Sequence, residues 1–486
     1  MLTIRRVNAS YIHIQTTQDI ELELQDSFSF KVPGYKFTPA FKSGGWSGDI
    51  KLFNRVTKRI YGGLFEDILQ FAKDREYPVS FNESEFPKDD ITPEEVNDFL
   101  DMLEIPDIFE RRDYQIQAIV EAINSRRATM LSPTASGKSF MIYSLFAYFS
   151  KKTLLIVPNV GLVNQMEEDF KAYGYKEEIH KVFAGQDKNT DLPITISTWQ
   201  SLMTLPEEYF HQFEMVICDE VHGAKAKHLT QIMEKCALAH IRFGFTGTLD
   251  GTVTNKMIIQ GLFGAVKQVT ETHILMELGF VSKLAIKAVI FKYPDEIRKM
   301  VSLKGKDKPP LSYPQEIDYL LSCAARNRFI IDLAIKSKGN TLIIVNYVEK
   351  HGDRLMKLLK EKVGDTRPVY YVHGSDDANA VRSEIENADG AIIISTFKKF
   401  STGLNIKRLH NIIVASPIKA QITLLQAIGR VLRLADDKEI ATLFDIGDDL
   451  SWKSRKNYTI KHLLERIKIY NSQKFSYKTH NVEFKG

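Results

Sequence analysis

Short apolar runs rich in β-branched residues alternate with helix-like segments over most of this 486-residue chain. Between about residues 105 and 250 the runs are TLLIVP, ITIST, MVICDE and IRFGFTGT. A second set after about residue 320 comprises NTLIIVN, VYYVHG, AIIIST, NIIVAS and IATLFDI. Such alternation is typical of βα units whose strands are buried on both faces of a parallel sheet. The sequence therefore predicts two α/β domains in series, each built on a parallel sheet.

The segments outside these two sets predict smaller parts. The N-terminal residues alternate short β-like runs with a glycine-containing centre and end in one helix-like segment, which indicates a small α+β domain. The stretch FNESEFPKDDITPEEVNDF is acidic and contains prolines, as linkers often do. The expected parts are an N-terminal domain at 1–82, a linker at 83–104, a first α/β domain at 105–285, a connection at 286–320, a second α/β domain at 321–450 and a basic extension at 451–486.

Composition excludes several classes of protein. Apolar residues make up 44% and charged residues 26%, which excludes a disordered, collagen-like or coiled-coil chain. The net charge is only +4, so any nucleic-acid binding would depend on local basic patches. The three cysteines lie far apart without metal-ligand spacing. No apolar run approaches the ~20 residues of a membrane span, and the N-terminus lacks a secretory signal. We therefore expect a cytoplasmic protein with no membrane partner.

The segment LSPTASGKSF at 131–140 is a candidate phosphate-binding loop, because it leads from a strand-like run into a helix. Lys138 is expected to reach the β- and γ-phosphates, and the Ser139 hydroxyl to hold Mg²⁺. Ser132 stands where the usual first glycine would be, and taken alone the match could be a chance loop. The predicted nucleotide-binding residues of this loop are Thr134, Ser136, Gly137, Lys138 and Ser139.

The run MVICDEVH at 215–222 is an apolar strand that ends in two carboxylates. Asp219 is the candidate Mg²⁺ ligand, held directly or through water. Glu220 is the candidate base that polarises an attacking water. The alternative is a solvated acidic strand end, but its position one βαβ step after a phosphate loop favours the catalytic interpretation.

Motifs in the order typical of superfamily 2 helicases of the DExH type extend from about residue 111 to residue 446. RDYQ at 112–115 resembles the upstream adenine-contacting element, and SPTASGKS and DEVH resemble motifs I and II. STFKKFSTGLN at 395–405 and QAIGRVLR at 426–433 resemble motifs V and VI. Each match is weak alone, whereas the ordered set is specific.

This resemblance implies roles for further residues. Tyr114 and Gln115 are expected to contact the nucleotide, as is Gly403 of motif V. Nucleic-acid contact, or its coupling to ATP, is implied for Pro158, Thr198, Trp199, His222, Thr246, Thr248, Asn346, His373, Gly374 and Thr396.

Motif VI contains two arginines that physical chemistry also singles out. Arg430 and Arg433 are spaced i, i+3, so both could project from one helix face, with Gln426 one turn earlier. A cation supplied across a cleft stabilises the charge of a transferring γ-phosphoryl group. The alternative is a solvated helix face, but the phosphate loop elsewhere favours arginine fingers. ATP would then bridge the two α/β halves.

Both ends of the chain are candidate nucleic-acid surfaces. Residues 28–53 interleave aromatic residues with lysines, and GGWSGD is expected to present Trp46 on a turn. An aromatic core is an equal alternative for most of these rings. The segment from Trp452 to Gly486 contains nine Lys or Arg and two Glu, which suits phosphate contacts or a solvated terminal helix equally.

As a whole the chain resembles the UvsW recombination and repair helicases of large tailed phages. The likeness covers the pattern FSF…GYKF…GGWSG, the motor and the motif V context FSTGLN. It implies two RecA-like domains after a small N-terminal domain, ATP and Mg²⁺ as cofactors, and forked or Holliday-type DNA as substrate. It also implies branch migration, 3′–5′ polarity, a monomer in the host cytoplasm, and single-strand-binding or recombinase proteins as candidate partners.

Three other functions are to be weighed against the same motifs. An RNA-directed DExH helicase would carry the same motifs, because these helicases grip the sugar-phosphate backbone. A duplex translocase that does not unwind DNA is the second, although the chain has no nuclease-like cluster outside the motor. The third is a nucleic-acid clamp with a vestigial ATP site, which intact motifs I, II and VI argue against.

Overall fold

The computed structural model describes residues 1–183, 190–222, 226–249, 253–302, 310–374, 378–402, 406–417 and 421–484. The chain divides into two compact units, Met1–Thr270 and Glu271–Gly486. Within the described ranges, no helix is long and apolar enough to cross a membrane. Gly403, expected to contact the nucleotide, lies outside the described residues.

The first unit begins with a four-stranded sheet in the order β5-β2-β1-β6 and a two-stranded β3-β4 ribbon. In β1 and β2 leucine or isoleucine alternates with polar or partly exposed residues, so one face is buried. Ile4 lies opposite Ile14 in the antiparallel pair. The elements are β1 (Leu2–Arg6), β2 (Tyr11–Gln15), α1 (Gln18–Ser27), β3 (Ser29–Lys31), α2 (Pro39–Lys42), β4 (Asp49–Lys51), β5 (Arg59–Tyr61), α3 (Phe65–Asp74) and β6 (Val79–Phe81).

The first unit continues with a seven-stranded sheet in the order β13-β7-β12-β11-β8-β10-β9, all of it parallel. Strands β8 and β10 are buried at every position, as strands covered on both faces must be. The elements are α4 (Pro93–Met102), α5 (Asp113–Ser125), β7 (Arg127–Leu131), α6 (Lys138–Phe149), β8 (Thr153–Val157), α7 (Val160–Ala172), β9 (His180–Val182), β10 (Ile194–Thr198), α8 (Trp199–Met203), α9 (Glu207–Phe210), β11 (Met215–Cys218), α10 (Ala226–Lys235), β12 (Ile241–Thr246), α11 (Val253–Phe263) and β13 (Val266–Gln268).

The second unit contains a seven-stranded parallel sheet in the order β16-β17-β15-β18-β19-β14-β20. The two sheets confirm the predicted fold class. The elements are α12 (Thr272–Glu277), β14 (Lys283–Lys292), α13 (Asp295–Ser302), α14 (Tyr313–Ser322), α15 (Ala324–Lys336), β15 (Thr341–Val345), α16 (Asp353–Val363), β16 (Val369–Val372), α17 (Ala378–Asn387), β17 (Ile392–Thr396), α18 (Phe397–Thr402), β18 (Asn411–Val414), α19 (Gln421–Val431), β19 (Ile440–Asp449), α20 (Tyr458–Ser472) and β20 (Tyr477–Glu483).

Segments expected in the connection and in the basic extension are integral to this second sheet. Residues 286–292 lie in β14, which pairs with β19 and with β20 of the extension. The sequence KLAIKAVIFK carries three lysines, which interrupt the apolar, β-branched pattern by which most of the other strands were predicted. The buried Glu316 carboxylate of α14 accepts hydrogen bonds from the backbone N–H groups of Tyr458 (3.0 Å) and Thr459 (2.8 Å) at the start of α20.

Within the first unit, the N-terminal sheet packs on the larger sheet through polar contacts. The Ser10 hydroxyl donates to Met233 O at 2.8 Å and accepts from the Arg242 guanidinium at 3.0 Å. Arg127 donates to Ala9 O at 2.7 Å. Arg242 is fully buried and also donates to Cys236 O and Ala239 O. These contacts between distant parts of the sequence explain why residues 1–270 form one compact unit.

Candidate active site

The predicted phosphate loop connects β7 to α6 at the carboxyl edge of the first large sheet. Gly137 caps α6 with φ +81°, and an added Cβ there would lie 2.1 Å from Gln115 Nε2. The loop therefore needs glycine at this position both for its left-handed backbone and for its close approach to Gln115. The first backbone N–H groups of an α-helix have no intrahelical acceptor, so the start of the 12-residue helix α6 favours a bound anion.

The element upstream of the loop holds it from the other side. Gln115 is 4% exposed; its Nε2 donates to Ser136 O at 2.9 Å, and its Oε1 accepts from Arg112 N at 3.1 Å. The Tyr114 hydroxyl also donates to Ser136 O, and Arg112 donates to Ala135 O, both at 3.1 Å. The two residues predicted to contact the nucleotide thus lie beside the phosphate loop. Arg112 is an additional anchor that motif spacing alone did not single out.

Motif II follows β11, which lies two strands from β7 in the sheet. Lys138 Nζ lies 2.9 Å from Glu220 Oε1. Asp219 is 8% exposed, and Glu220 adopts a left-handed backbone conformation with φ +52°. The structure therefore brings together the lysine and both carboxylates that the sequence predicted, and the non-glycine positive φ is typical of strain at functional sites.

The two adjacent carboxylates have opposite electrostatic environments. Burial raises the pKa of Asp219, and the neighbouring Glu220 charge raises it further. Burial also acts to raise the pKa of Glu220, but Lys138 and His222 together hold it below its ordinary value. A cation bound at Asp219 would relieve the cost of its buried charge.

The oxygen donors here fit a magnesium ion that is bound mainly through phosphate oxygens and water. Ser139 and Asp219 supply one hydroxyl and one carboxylate, the hard oxygen ligands that Mg²⁺ prefers. The described residues contain no group of three or more His, Cys, Asp or Glu side chains arranged to hold a metal. Tyr173 lies next to this donor set, with its hydroxyl 2.9 Å from Ser139 Oγ.

His222 connects motif II to the end of β12. Its Nδ1 lies 2.5 Å from Thr246 Oγ1 and 3.3 Å from Glu220 Oε2. The Thr246 hydroxyl donates its own proton to Thr248 O at 2.8 Å, so it must accept from His222, and Nδ1 carries the hydrogen. The three residues predicted to couple ATP to nucleic acid therefore form one hydrogen-bonded network that reaches Glu220.

The other predicted motif residues of the first unit lie along the same sheet edge. Pro158 follows β8, and Thr198 is the last residue of β10. Trp199 is half-buried, and its ring stacks on His228 with centroids 5.3 Å apart. In parallel sheets ligands bind beyond the carboxyl ends of the strands, which is where these residues lie.

In the second unit, residues predicted to contact nucleic acid follow three neighbouring strands. Asn346 follows β15, His373 and Gly374 follow β16, and Thr396 is the last residue of β17. Lys399 of motif V, to which the motif resemblance gives no role, links two of these strand ends. Its Nζ donates to Gly374 O at 3.2 Å, and its backbone N–H donates to Thr396 Oγ1 at 3.2 Å.

The motif VI residues are only partly arranged as predicted. Gln426 and Arg430 lie one turn apart on α19 and are half-buried, and the Arg430 guanidinium carbon lies 5.8 Å from the centre of the Phe400 ring. The helix ends at Val431. Arg433 therefore lies in the turn that follows, not on the helix face that its i, i+3 spacing suggested.

The N-terminal aromatic residues divide between packed and exposed rings. Trp46 is half-buried and its indole N–H donates to Asp49 O at 2.8 Å, so it is less available than the glycine-rich turn suggested. Lys31 and Lys36 lie within 5.2 and 5.9 Å of the centre of the Tyr35 ring. Phe37 is 82% exposed and is the more accessible ring of this segment.

Comparison with known proteins assigns the family. Models described as DNA helicase UvsW, N-terminal; type III restriction enzyme, res subunit; and helicase conserved C-terminal domain match residues 2–82, 108–251 and 325–435. The chain is 33% identical over 499 residues to the ATP-dependent DNA helicase uvsW of Enterobacteria phage T4, covering 96% of this chain and 97% of that protein. The chain belongs to the UvsW family of ATP-dependent DNA helicases.

Solved structures agree with this UvsW assignment. The crystal structure of T4 UvsW matches with 30% identity and a TM-score of 0.52, covering 99% of both chains. A fragment of an HsdR subunit of a type I restriction enzyme from Vibrio vulnificus matches at 17% identity with a TM-score of 0.58, covering 79% of this chain and 71% of that chain, and shows a shared fold alone. A more distant relative, the DNA 3'-5' translocase XPB2 of Sulfurisphaera tokodaii, is 23% identical over 434 residues, covering 83% of this chain and 92% of that protein.

Proposed function

We propose that this UvsW-family helicase uses ATP hydrolysis to unwind and branch-migrate forked or four-way DNA in recombination, repair and replication restart. The observation that carries the proposal is the N-terminal domain. Residues 2–82 match the UvsW N-terminal model and pack on the first motor sheet through Ser10, Arg127 and Arg242. Because the N-terminal domain is packed against the motor sheet, it could hold a DNA junction next to the sheet edge at which the strand is translocated.

The ATPase chemistry follows from the motif I and motif II side chains. Lys138, which pairs with Glu220 in this structure, would give its charge to the β- and γ-phosphates when nucleotide binds. Glu220 would then be free to accept a hydrogen bond from the attacking water. Ser139 and Asp219 would hold Mg²⁺, which when bound offsets the negative charge of the phosphates.

The His222 network supplies a path from ATP to nucleic acid. The hydrogen on His222 Nδ1 lies between Thr246 Oγ1 and Glu220 Oε2. A change in the contacts of Glu220 would therefore alter the hydrogen bond between His222 and Thr246. Residues at strand ends along the same edge, such as Pro158 and Thr198, would contact the DNA backbone. In the second unit Asn346, Gly374 and Thr396 would do so. Alternating grip by the two units would move the strand, with the 3′–5′ polarity that the XPB2 relative is named for.

Arg430 and Arg433 are proposed as the cations that stabilise the transition state of hydrolysis, with Gln426 orienting water or the γ-phosphate. They belong to the second unit, so their action requires both units. Gly403 remains a proposed nucleotide contact on motif V resemblance alone.

The decisive experiment measures ATP hydrolysis by the full chain with no nucleic acid, single-stranded DNA, duplex DNA, forked DNA, four-way DNA and single-stranded RNA. Lys138→Ala is the blank, and we expect it to fold normally but to lose hydrolysis, because the loop loses its phosphate-neutralising charge. Retained turnover by Lys138→Ala would refute the phosphate-loop assignment. We expect the strongest stimulation by DNA, together with remodelling of the forked and four-way substrates.

A duplex translocase without unwinding is the second candidate, favoured by the restriction-enzyme model that matches residues 108–251. Displacement of a third strand from duplex DNA, without separation of fork arms, would support that candidate and contradict branch migration. Stimulation by RNA alone would overturn both.

A further inference from the structure

Lys438 is a buried lysine on the turn that follows α19. The residue is 4% exposed, and its ammonium group donates hydrogen bonds to three backbone carbonyl oxygens: Lys407 O at 2.9 Å, Leu409 O at 3.1 Å and Val431 O at 2.9 Å. An ammonium group has three N–H donors, so each can have one acceptor. Burial lowers the pKa of Lys438 to about 8, although the Asp437 charge opposes this effect. A lysine buried at this electrostatic cost, with every acceptor on the main chain, holds backbone segments in place.

The three acceptors belong to two segments, the end of the motif VI helix and the segment that follows motif V. Val431 is the last residue of α19, the helix that carries Gln426 and Arg430. Carbonyl groups at a helix C-terminus lack intrahelical partners and carry the negative end of the helix dipole, so a cation there is favourable. Lys407 and Leu409 lie in the segment that leads from motif V to β18. The Lys438 ammonium therefore ties the end of the motif VI helix to the segment after motif V.

The turn between α19 and Lys438 is fixed along its length. Ser282 N donates to Leu432 O at 2.8 Å, and the Ser282 hydroxyl lies 3.4 Å from Arg433 O. At the far end Lys438 N donates to Ala435 O at 3.0 Å. The backbone on both sides of Arg433 is thus held by Ser282 and Lys438.

We propose that Lys438 is a positioning residue for the proposed arginine fingers. It sets the end of α19 and the following turn so that Arg430 and Arg433 are presented in one fixed geometry. The inference rests on the proposed function of these arginines in ATP hydrolysis and requires no contact between Lys438 and ATP. A misplaced finger loses transition-state stabilisation while leaving nucleotide binding to motif I and its upstream element.

The test compares full-length Lys438→Met with Lys438→Arg in DNA-stimulated ATP hydrolysis. Methionine keeps the length and apolar character of the side chain and removes the donors, whereas arginine restores a cation with several donors. We expect Lys438→Met to lower kcat roughly 10- to 100-fold with KM for ATP little changed, and Lys438→Arg to recover part of that loss. Lys362→Met is the matched control, because Lys362 is an exposed lysine of α16 paired with Asp332. It should leave kcat unchanged.

A double-mutant cycle separates positioning from general destabilisation. If Lys438 acts through Arg430 and Arg433, Lys438→Met should lower kcat no further in a background that carries both Arg430→Ala and Arg433→Ala. An equal loss in both backgrounds would overturn the inference. If Arg430→Ala lowers kcat but Lys438→Met does not, the positioning role of Lys438 is wrong and the finger role of Arg430 stands. If Arg430→Ala has normal kcat, both roles are wrong. If Lys438→Met does not fold, Lys438→Gln, which keeps two N–H donors, enters the same cycle with the same criteria.

Discussion

At the scale of single residues, the proposed ATPase site is a set of charged and polar side chains held in mutually dependent positions. Lys138 pairs with Glu220, Glu220 lies near His222, and His222 shares its hydrogen with Thr246. Because each partner has few alternatives in a buried site, a change at one position alters the hydrogen bonds of the next. The arrangement is suited to report nucleotide binding along the sheet edge.

Arg430 provides the sharpest test at this scale. Arg430→Ala should lower kcat for ATP roughly 10²- to 10³-fold, because a finger acts mainly in the transition state, while ATP affinity changes little. Steady-state hydrolysis and equilibrium binding of a fluorescent ATP analogue measure the two effects. Arg382→Ala, which removes an arginine of α17 paired with Glu386, is the control. A parallel loss of ATP binding would make Arg430 a ground-state contact.

At the scale of elements, a directed chain of hydrogen bonds supports the motif IV segment. Asn346 N donates to Ser416 Oγ at 3.1 Å, and Ser416 Oγ lies 3.1 Å from His351 Nδ1. His351 Nε2 lies 3.3 Å from Asn327 Oδ1, and the Asn327 amide donates to Leu321 O. Asn327 Oδ1 can only accept, so Nε2 carries the hydrogen of a neutral His351. In this neutral ring Nδ1 accepts from the Ser416 hydroxyl, and protonation of Nδ1 would force that hydroxyl to find another acceptor.

The stability of the second unit should therefore depend on pH through His351. Burial first, and then the Arg326 and Arg354 charges, lower the pKa of His351 to about 3. Below about pH 6.5 His351 binds a proton in the unfolded chain, whereas in the folded chain it stays neutral down to much lower pH. The free energy of unfolding therefore decreases as the pH falls. The free energy of unfolding of the second unit, measured by chemical denaturation, should decrease by about 1–2 kcal/mol between pH 6.5 and pH 5. His351→Gln should flatten this slope, and an unchanged slope would contradict the assignment.

Glu316 gives a second prediction about an element, the helix α20. Its carboxylate accepts from the Asn457 side chain, from the backbone N–H groups of Tyr458 and Thr459, and from the Thr459 hydroxyl, at 2.8 to 3.0 Å. Glu316→Gln replaces one acceptor by a donor that faces other donors. It should destabilise the second unit by about 2–3 kcal/mol in chemical denaturation. Glu361→Gln on the exposed face of α16 is the control, expected to have no effect.

At the scale of the whole molecule, the N-terminal domain and the first motor sheet belong to one compact unit, so we expect them to unfold together. Arg242→Met removes donors to Ser10 Oγ, Cys236 O and Ala239 O in a fully buried place. This substitution should lower the free energy of unfolding of the first unit by about 2–4 kcal/mol. In calorimetry the unfolding transition of the first unit should shift to lower temperature, and that of the second unit should not change. Melting of residues 1–82 as a separate transition would contradict the integration of this domain.

Much of the fold followed from local pattern because the responsible forces are local. Strands β8 and β15 are buried at every position, and that burial is visible in the sequence as the apolar runs LLIV and LIIV. Motifs I and II were equally readable, because a phosphate loop needs glycine at one position and charge at the next. The family, the two parallel sheets and the choice of Lys138 and Glu220 as candidate site residues were within reach of the sequence, whereas the pairing of these two side chains was seen only in the structure.

Other features depended on residues far apart in the chain. The strand β14 carries three lysines and is held by β19 and β20, so only its partners make it a strand of the sheet. The end of α19 before Arg433 and the three carbonyls around Lys438 were likewise decided by tertiary contacts. By itself the sequence determined the family and the segments that make up the proposed site, because the motifs that identify them are short and local. Only the tertiary structure decided how those segments are held, because buried polar groups take whichever partners the packed chain brings to them.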